Sequence, residues 1–126
     1  GVEAAARTGF VGVSQLTIAG IKACDSMKKA FARLDAAGVA YDFQDFKKVP
    51  PSAEQIATWL SHLPAELLVN RQGTTWRQLA PEAQASIADP AALTALLIAK
   101  PSLIKRPLLI TDEQVTVGLN SPLLPG

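Results

Sequence analysis

Cys24 is the single cysteine of the 126-residue sequence, and its surroundings are those that make a thiol reactive. A short apolar strand, Leu16 to Ala19, runs through Gly20-Ile21-Lys22-Ala23 into Asp25-Ser26-Met27-Lys28-Lys29, which reads as the first turn of a helix. A thiol at that junction meets the unpaired N–H groups and the positive dipole end of the helix, with three lysines nearby. Each of these favours the thiolate, which is the nucleophilic form. A lone cysteine also serves as a small buried hydrophobe, so the junction and its cations carry the reading. Position 27, where a redox pair would place its resolving partner, is Met27, which leaves a single-thiol cycle through an external thiol. The second residue with chemistry to offer is Arg106. Pro107 drives it into an extended conformation, projecting the guanidinium from the start of a strand.

Composition narrows the function classes. Twelve basic residues against eleven acidic ones give a net charge of +1, which calls for neither nucleic acid nor an anionic membrane surface. No apolar run reaches the roughly 18 residues that span a bilayer. One cysteine excludes an intramolecular disulfide, and with His62 as the single histidine the usual nitrogen and sulfur ligands of a zinc site are lacking. No bound cofactor or metal is expected. Residues 1–15 lack the basic start and apolar stretch of a secretory signal and read as a leader or cloning-derived extension. Residues 16–126 read as one domain, and a reduced, cytoplasmic setting is expected.

The elements that must position Cys24 and Arg106 are legible from periodicity. Met27, Ala30, Phe31 and Leu34 recur at helical spacing with Gly38 as the C-terminal cap. Residues 39–46 read as a second strand with Tyr41, Phe43 and Asp45 on one face. Strand, helix, strand in this order favours a right-handed crossover between parallel strands. Ser52-Ala53-Glu54-Gln55 is a capping box opening a helix with Ile56, Trp59, Leu60 and Leu63 on its apolar side. Asp89-Pro90 starts another, which carries Leu93, Leu96 and Leu97 and stops at Pro101. Residues 47–105 therefore read as a helical insertion whose Leu and Trp stripes are core. Leu108–Thr111 and Val115–Gly118 form a terminal hairpin. Asp25 and Ser26 read as helix caps, His62 as a surface or capping histidine, and Trp76 as core or groove lining.

Three blocks in this order resemble a known family. Thr17-Ile18-Ala19-Gly20-Ile21-Lys22-Ala23-Cys24-Asp25-Ser26-Met27, then Leu67-Leu68-Val69-Asn70-Arg71-Gln72-Gly73-Thr74-Thr75-Trp76-Arg77, then Leu103-Ile104-Lys105-Arg106-Pro107-Leu108 look like the arsenate reductase (ArsC) and Spx superfamily, most of all its bacterial YffB-like branch. The resemblance covers about residues 16–118. It implies an α/β, thioredoxin-like fold with a mixed four-stranded sheet and a helical insertion between strands 2 and 3, in which Cys24 faces a cis Arg106-Pro107 bond. It further implies nucleophilic catalysis by Cys24 with Arg106 as an anion clamp, a planar fork that stays charged at any relevant pH.

The family's arsenate reductases hold the oxyanion with three arginines and complete the reduction with glutathione and glutaredoxin. YffB-like proteins usually carry Thr-Arg before Gly-Thr-Thr-Trp-Arg, whereas this chain has Arg71-Gln72. Where the third arginine belongs, just after the last strand, stands Gly118-Leu119-Asn120-Ser121. Loss of one such contact costs about 2.7–4 kcal/mol by analogy with an oxyanion-hole donor, which disfavours arsenate. Glutathione demands less, and Lys22, Arg71, Arg77 and Arg106, beside Pro107, offer it cations. The expectation is a glutathione-dependent thiol oxidoreductase forming a mixed disulfide at Cys24. Arsenate reduction coupled to glutathione and glutaredoxin is one alternative. The other is an Spx-like regulator that binds RNA polymerase.

Overall fold

The computed structural model describes residues 15–126; the leader expected over residues 1–15 lies almost wholly outside them. The central strand β1 (Thr17–Gly20) leads through a tight turn into helix α1 (Asp25–Ala36), which returns to β2 (Asp42–Asp45). The insertion follows: α2 (Ala53–His62), the short α3 (Ala65–Leu68), α4 (Thr74–Arg77) and α5 (Pro81–Ala85), then α6 (Pro90–Ala99), with 3₁₀ turns at Ser86–Ala88 and Pro101–Leu103. The hairpin β3 (Leu108–Ile110) and β4 (Val115–Val117) completes the sheet. Its order is β2-β1-β3-β4, with β1 and β2 parallel and the other two pairings antiparallel.

Side-chain alternation divides the core between the two sheet faces. Ile18 and Leu109, partners across β1 and β3, join Met27, Ala30, Leu34 and Tyr41 on the α1 side. Ala19 and Leu108, the next pair, join Ile56, Trp59, Leu93 and Leu97 of the insertion on the other. The Leu and Trp stripes are thus core, and Trp76 packs partly buried against them. Each fully buried Leu or Ile contributes about 1.5–3 kcal/mol. β1 is nearly inaccessible from Ile18 to Gly20 because it is covered on both faces.

Local chemistry sets the boundaries. At the end of α1, Gly38 adopts φ +69°, Val39 N–H donates to the Leu34 carbonyl and Gly38 N–H to that of Asp35, a Schellman closure that needs a residue without Cβ strain. Ser52 caps α2 through Gln55 N–H at 3.0 Å, and the Gln55 side chain accepts from Ser52 N–H at 3.1 Å. Asp89 caps α6 through Ala91 N–H with Pro90 at the first helical position. The second strand is shorter than the 39–46 run, because residues 39–41 close the helix and the ladder to β1 begins at Asp42. Phe31 stacks on Tyr41 and meets Phe43 edge-on, which fastens α1 to this strand.

Among the described residues no helix is long and apolar enough to cross a membrane. Nor do three or more His, Cys, Asp or Glu side chains gather there into a group able to hold a metal ion.

Candidate active site

The parallel pairing of β1 with β2 and the antiparallel pairing with β3 bring three segments to one end of the sheet. Gly20 ends β1 and its carbonyl accepts from Phe46 N–H at 2.9 Å. Continuing the register of Ala19 with Leu108 sets Pro107 opposite Gly20, and the Pro107 carbonyl accepts from Gly118 N–H at 2.9 Å. From Ile21 to Cys24 the chain makes a turn closed by Cys24 N–H donating to the Ile21 carbonyl at 3.2 Å. Cys24 thereby arrives at the N-cap of α1, with φ −76° and ψ 139°. Asp25 and Ser26 are not the caps. The cap falls one residue earlier, because the turn holds Cys24 extended while its own carbonyl already accepts from Lys28 N–H at 3.0 Å.

Burial by itself raises the Cys24 pKa, but four influences outweigh it and bring the thiol below its ordinary value. The Met27 and Ser26 backbone N–H groups favour the thiolate, as do the positive charge of Arg106 and the Ser26 hydroxyl. The neutral thiol makes no capping hydrogen bond of standard geometry, so these groups act chiefly on the charged form. Cys24 is partly exposed, which leaves the sulfur open to a reactant.

Arg106 is fixed from both sides. The Arg106-Pro107 bond is cis. A Cβ placed on Gly20 would come 3.2 Å from Arg106 Cγ, so the arginine stem occupies the space beside a bare glycine. Upstream, Val69 bridges Ile104, Asn70 N–H donates to the Leu103 carbonyl at 2.7 Å and Lys105 N–H to the Leu68 carbonyl at 2.8 Å. The insertion is thus tied to the approach to Arg106.

The other sequence-derived residues fall out differently. Pro107 is buried and Lys22 is exposed within the Cys24 turn. Arg71 sits exposed in a turn where Asn70 Oδ1 accepts from Gln72 N–H at 3.1 Å, and Arg77 is the exposed last residue of α4. Arg106 is the cation whose charge lowers the thiol pKa. Sequence reasoning assigned Ser26 to capping and missed its hydroxyl's action on the thiolate. A hydroxyl two residues after the cysteine was the available signal.

The ArsC family model matches residues 19–122. The chain belongs to the ArsC family. Its architecture, a mixed four-stranded sheet with a helical insertion between β2 and β3, is the thioredoxin-like fold of that family. Among solved ArsC-like structures, the chain is similar to a YffB protein at 42% identity and a TM-score of 0.76, over 82% of this chain and 90% of the other. It is also similar to an arsenate reductase (ArsC) related protein from Brucella melitensis at 40% identity and a TM-score of 0.70, over 88% and 91% of the two chains. An uncharacterized protein of Haemophilus influenzae is 30% identical over 105 residues, 83% of this chain and 91% of that one.

Proposed function

We propose that this ArsC-family protein is a glutathione-dependent thiol oxidoreductase with Cys24 as its nucleophile. The observation that carries this reading is the partly exposed Cys24 at the α1 N-cap, its pKa lowered by the adjoining N–H groups and by Arg106. In the first step the Cys24 thiolate attacks one sulfur of a disulfide that contains glutathione. That S–S bond breaks, a Cys24–glutathione disulfide forms, and the other sulfur leaves with the electron pair as a thiolate. A second glutathione thiolate then attacks the mixed disulfide, releases glutathione disulfide and restores the Cys24 thiolate. The net result is an exchange in which one free glutathione thiol is consumed, the substrate's other sulfur is released as a thiol, and its glutathione leaves in glutathione disulfide. Arg106 serves as the anion clamp beside Pro107, and Lys22, Arg71 and Arg77 supply further positive charge for the carboxylates.

Similarity to the arsenate reductase (ArsC) related protein of Brucella melitensis supports this class of chemistry. Arsenate itself is the weaker substrate. The segment after β4, Gly118 to Ser121, offers no cation to a third face of an oxyanion, and the Leu119 carbonyl is occupied by Arg33 Nη1 at 2.7 Å.

The test is incubation with glutathione disulfide followed by mass spectrometry. The expected result is a mixed disulfide on Cys24, absent in Cys24→Ser, which reduced glutathione discharges. A folded protein that fails to form it, while its unfolded chain does, overturns the proposal.

A further inference from the structure

We infer that the disulfide substrate is carried by an acidic peptide, whose carboxylate occupies a pocket beside the Cys24 turn. This rests on Cys24 being the nucleophile proposed above. The pocket has a volume of about 500 Å³, within the range of about 300–1,000 Å³ common to ligand sites. Ile21 and Phe46 give it an apolar wall, Thr75 and Ser102 supply hydroxyls, and Lys47 and Lys100 supply positive charge. Thr75 Oγ1 and Ser102 Oγ share a hydrogen bond of 3.1 Å, in which one hydroxyl donates to the other and the accepting hydroxyl keeps its own proton to donate to a carboxylate. Among the described residues no acidic side chain lines the pocket. The nearest carboxylate along the chain, Asp45, is engaged with Lys47 N–H through Oδ1 at 3.0 Å.

The pocket adjoins the turn that carries the sulfur. Ile21 lines it and is also the first residue of the hydrogen-bonded turn that ends at Cys24. The ends of such a turn are within about 7 Å of each other. An extended peptide advances about 3.3 Å per residue. A Glu or Asp two or three positions from the substrate cysteine therefore reaches the pocket when the sulfurs meet. Ile21 and Phe46 suit the methylene stem, and the lysines and hydroxyls suit the carboxylate.

The distribution of charge over the fold agrees. β1 and β2 run parallel toward the thiol, so Lys22, Lys28, Lys47, Lys48, Lys105 and Arg106 gather at that end against Asp25 and Asp45. The opposite end carries Asp35, Asp42 and the Asp112-Glu113 turn against Arg33, which is turned to the Leu119 carbonyl. A nearly neutral chain thus presents a positive face around its nucleophile, and such a face speeds encounter with acidic partners.

The experiment measures rates of mixed-disulfide formation between Cys24 and symmetrical peptide disulfides of matched length, acidic, neutral or basic around the cysteine. In each reaction the Cys24 thiolate takes one peptide sulfur and expels the other peptide as its thiolate. Rates are divided by that of iodoacetamide with the same protein, which corrects for thiolate availability. The expected result is an acidic peptide about tenfold faster than a basic one at low salt, the advantage shrinking as salt screens it. Lys47→Gln with Lys100→Gln should lose about fivefold on the acidic peptide, because two exposed ion pairs are removed together. Equal rates for all three peptides, or an acidic preference intact in the double variant, overturn this inference and leave the thiol chemistry standing. Failure of Cys24 to react with any peptide disulfide or with glutathione disulfide overturns both.

Discussion

Arg106 packs its stem against the bare Cα of Gly20, so the residue that charges the site is held by the residue that ends the central strand. A Cβ on Gly20 would lie 3.2 Å from Arg106 Cγ and 2.7 Å from Met27 Sδ, and Met27 is fully buried. Gly20 also has φ +156°, a conformation that L side chains rarely adopt. Gly20→Ala should cost about 1–3 kcal/mol through overpacking, read as a lower urea midpoint with unchanged slope. It should also slow Cys24 alkylation at neutral pH, because Arg106 or Met27 must give way.

Arg106→Gln removes a positive charge that acts on the thiol from outside its own turn. The midpoint of the pH–rate profile for iodoacetamide alkylation should move upward, and Arg106→Lys should restore part of the shift. Ser26→Ala should move the midpoint in the same direction by removing the hydroxyl. A midpoint unmoved in both variants would contradict the geometry.

Because the folded pKa of Cys24 lies below its unfolded value, the unfolded chain binds more protons between the two. Stability should rise with pH across that window, be fully present above the unfolded pKa and disappear as pH falls through the folded one. Cys24→Ser should flatten this limb in urea melts taken at successive pH values.

Tyr41 has the opposite sign. Burial, then the charge of Asp35, then the hydrogen bond from Tyr41 Oη to Asp35 Oδ1 raise its pKa above the usual 10.0. The stabilisation is complete below the unfolded pKa and lost as pH climbs through the folded one. Tyr41→Phe should therefore lose less stability than the native chain on passing from neutral to strongly alkaline pH, measured by circular dichroism melts.

Ser121 is buried and fixes the segment after β4, bonding Thr116 Oγ1 at 2.5 Å and accepting from Leu123 N–H at 2.9 Å. Ser121→Ala leaves both partners unsatisfied and should cost about 1–3 kcal/mol. Equilibrium unfolding measures this. The site itself should be spared, with Cys24 alkylation unchanged.

Much of the fold is local in origin, which is why residues alone revealed it. The capping box at Ser52, the Asp89-Pro90 start and the Gly38 stop each depend on neighbours within five residues. The α1 face of Met27, Ala30 and Leu34 follows from helical period, and the parallel β1–β2 pairing from the handedness of short crossovers. Cys24 could be placed at a helix start for the same reason.

What the sequence left open depends on approach between distant segments. Cys24 and Arg106 are 82 positions apart, and the Arg106 charge reaches the thiol only because β3 pairs antiparallel with β1 and Gly20 leaves room for the arginine stem. Lys47 and Lys100 likewise meet across one pocket because α6 packs back toward the end of β2. In sequence they are two solvated lysines among twelve cations. Periodicity records which face of an element is buried, but two such faces can meet in many registers. Tertiary packing selected the register that put a positive charge, hydroxyls and a thiol at one end of the sheet.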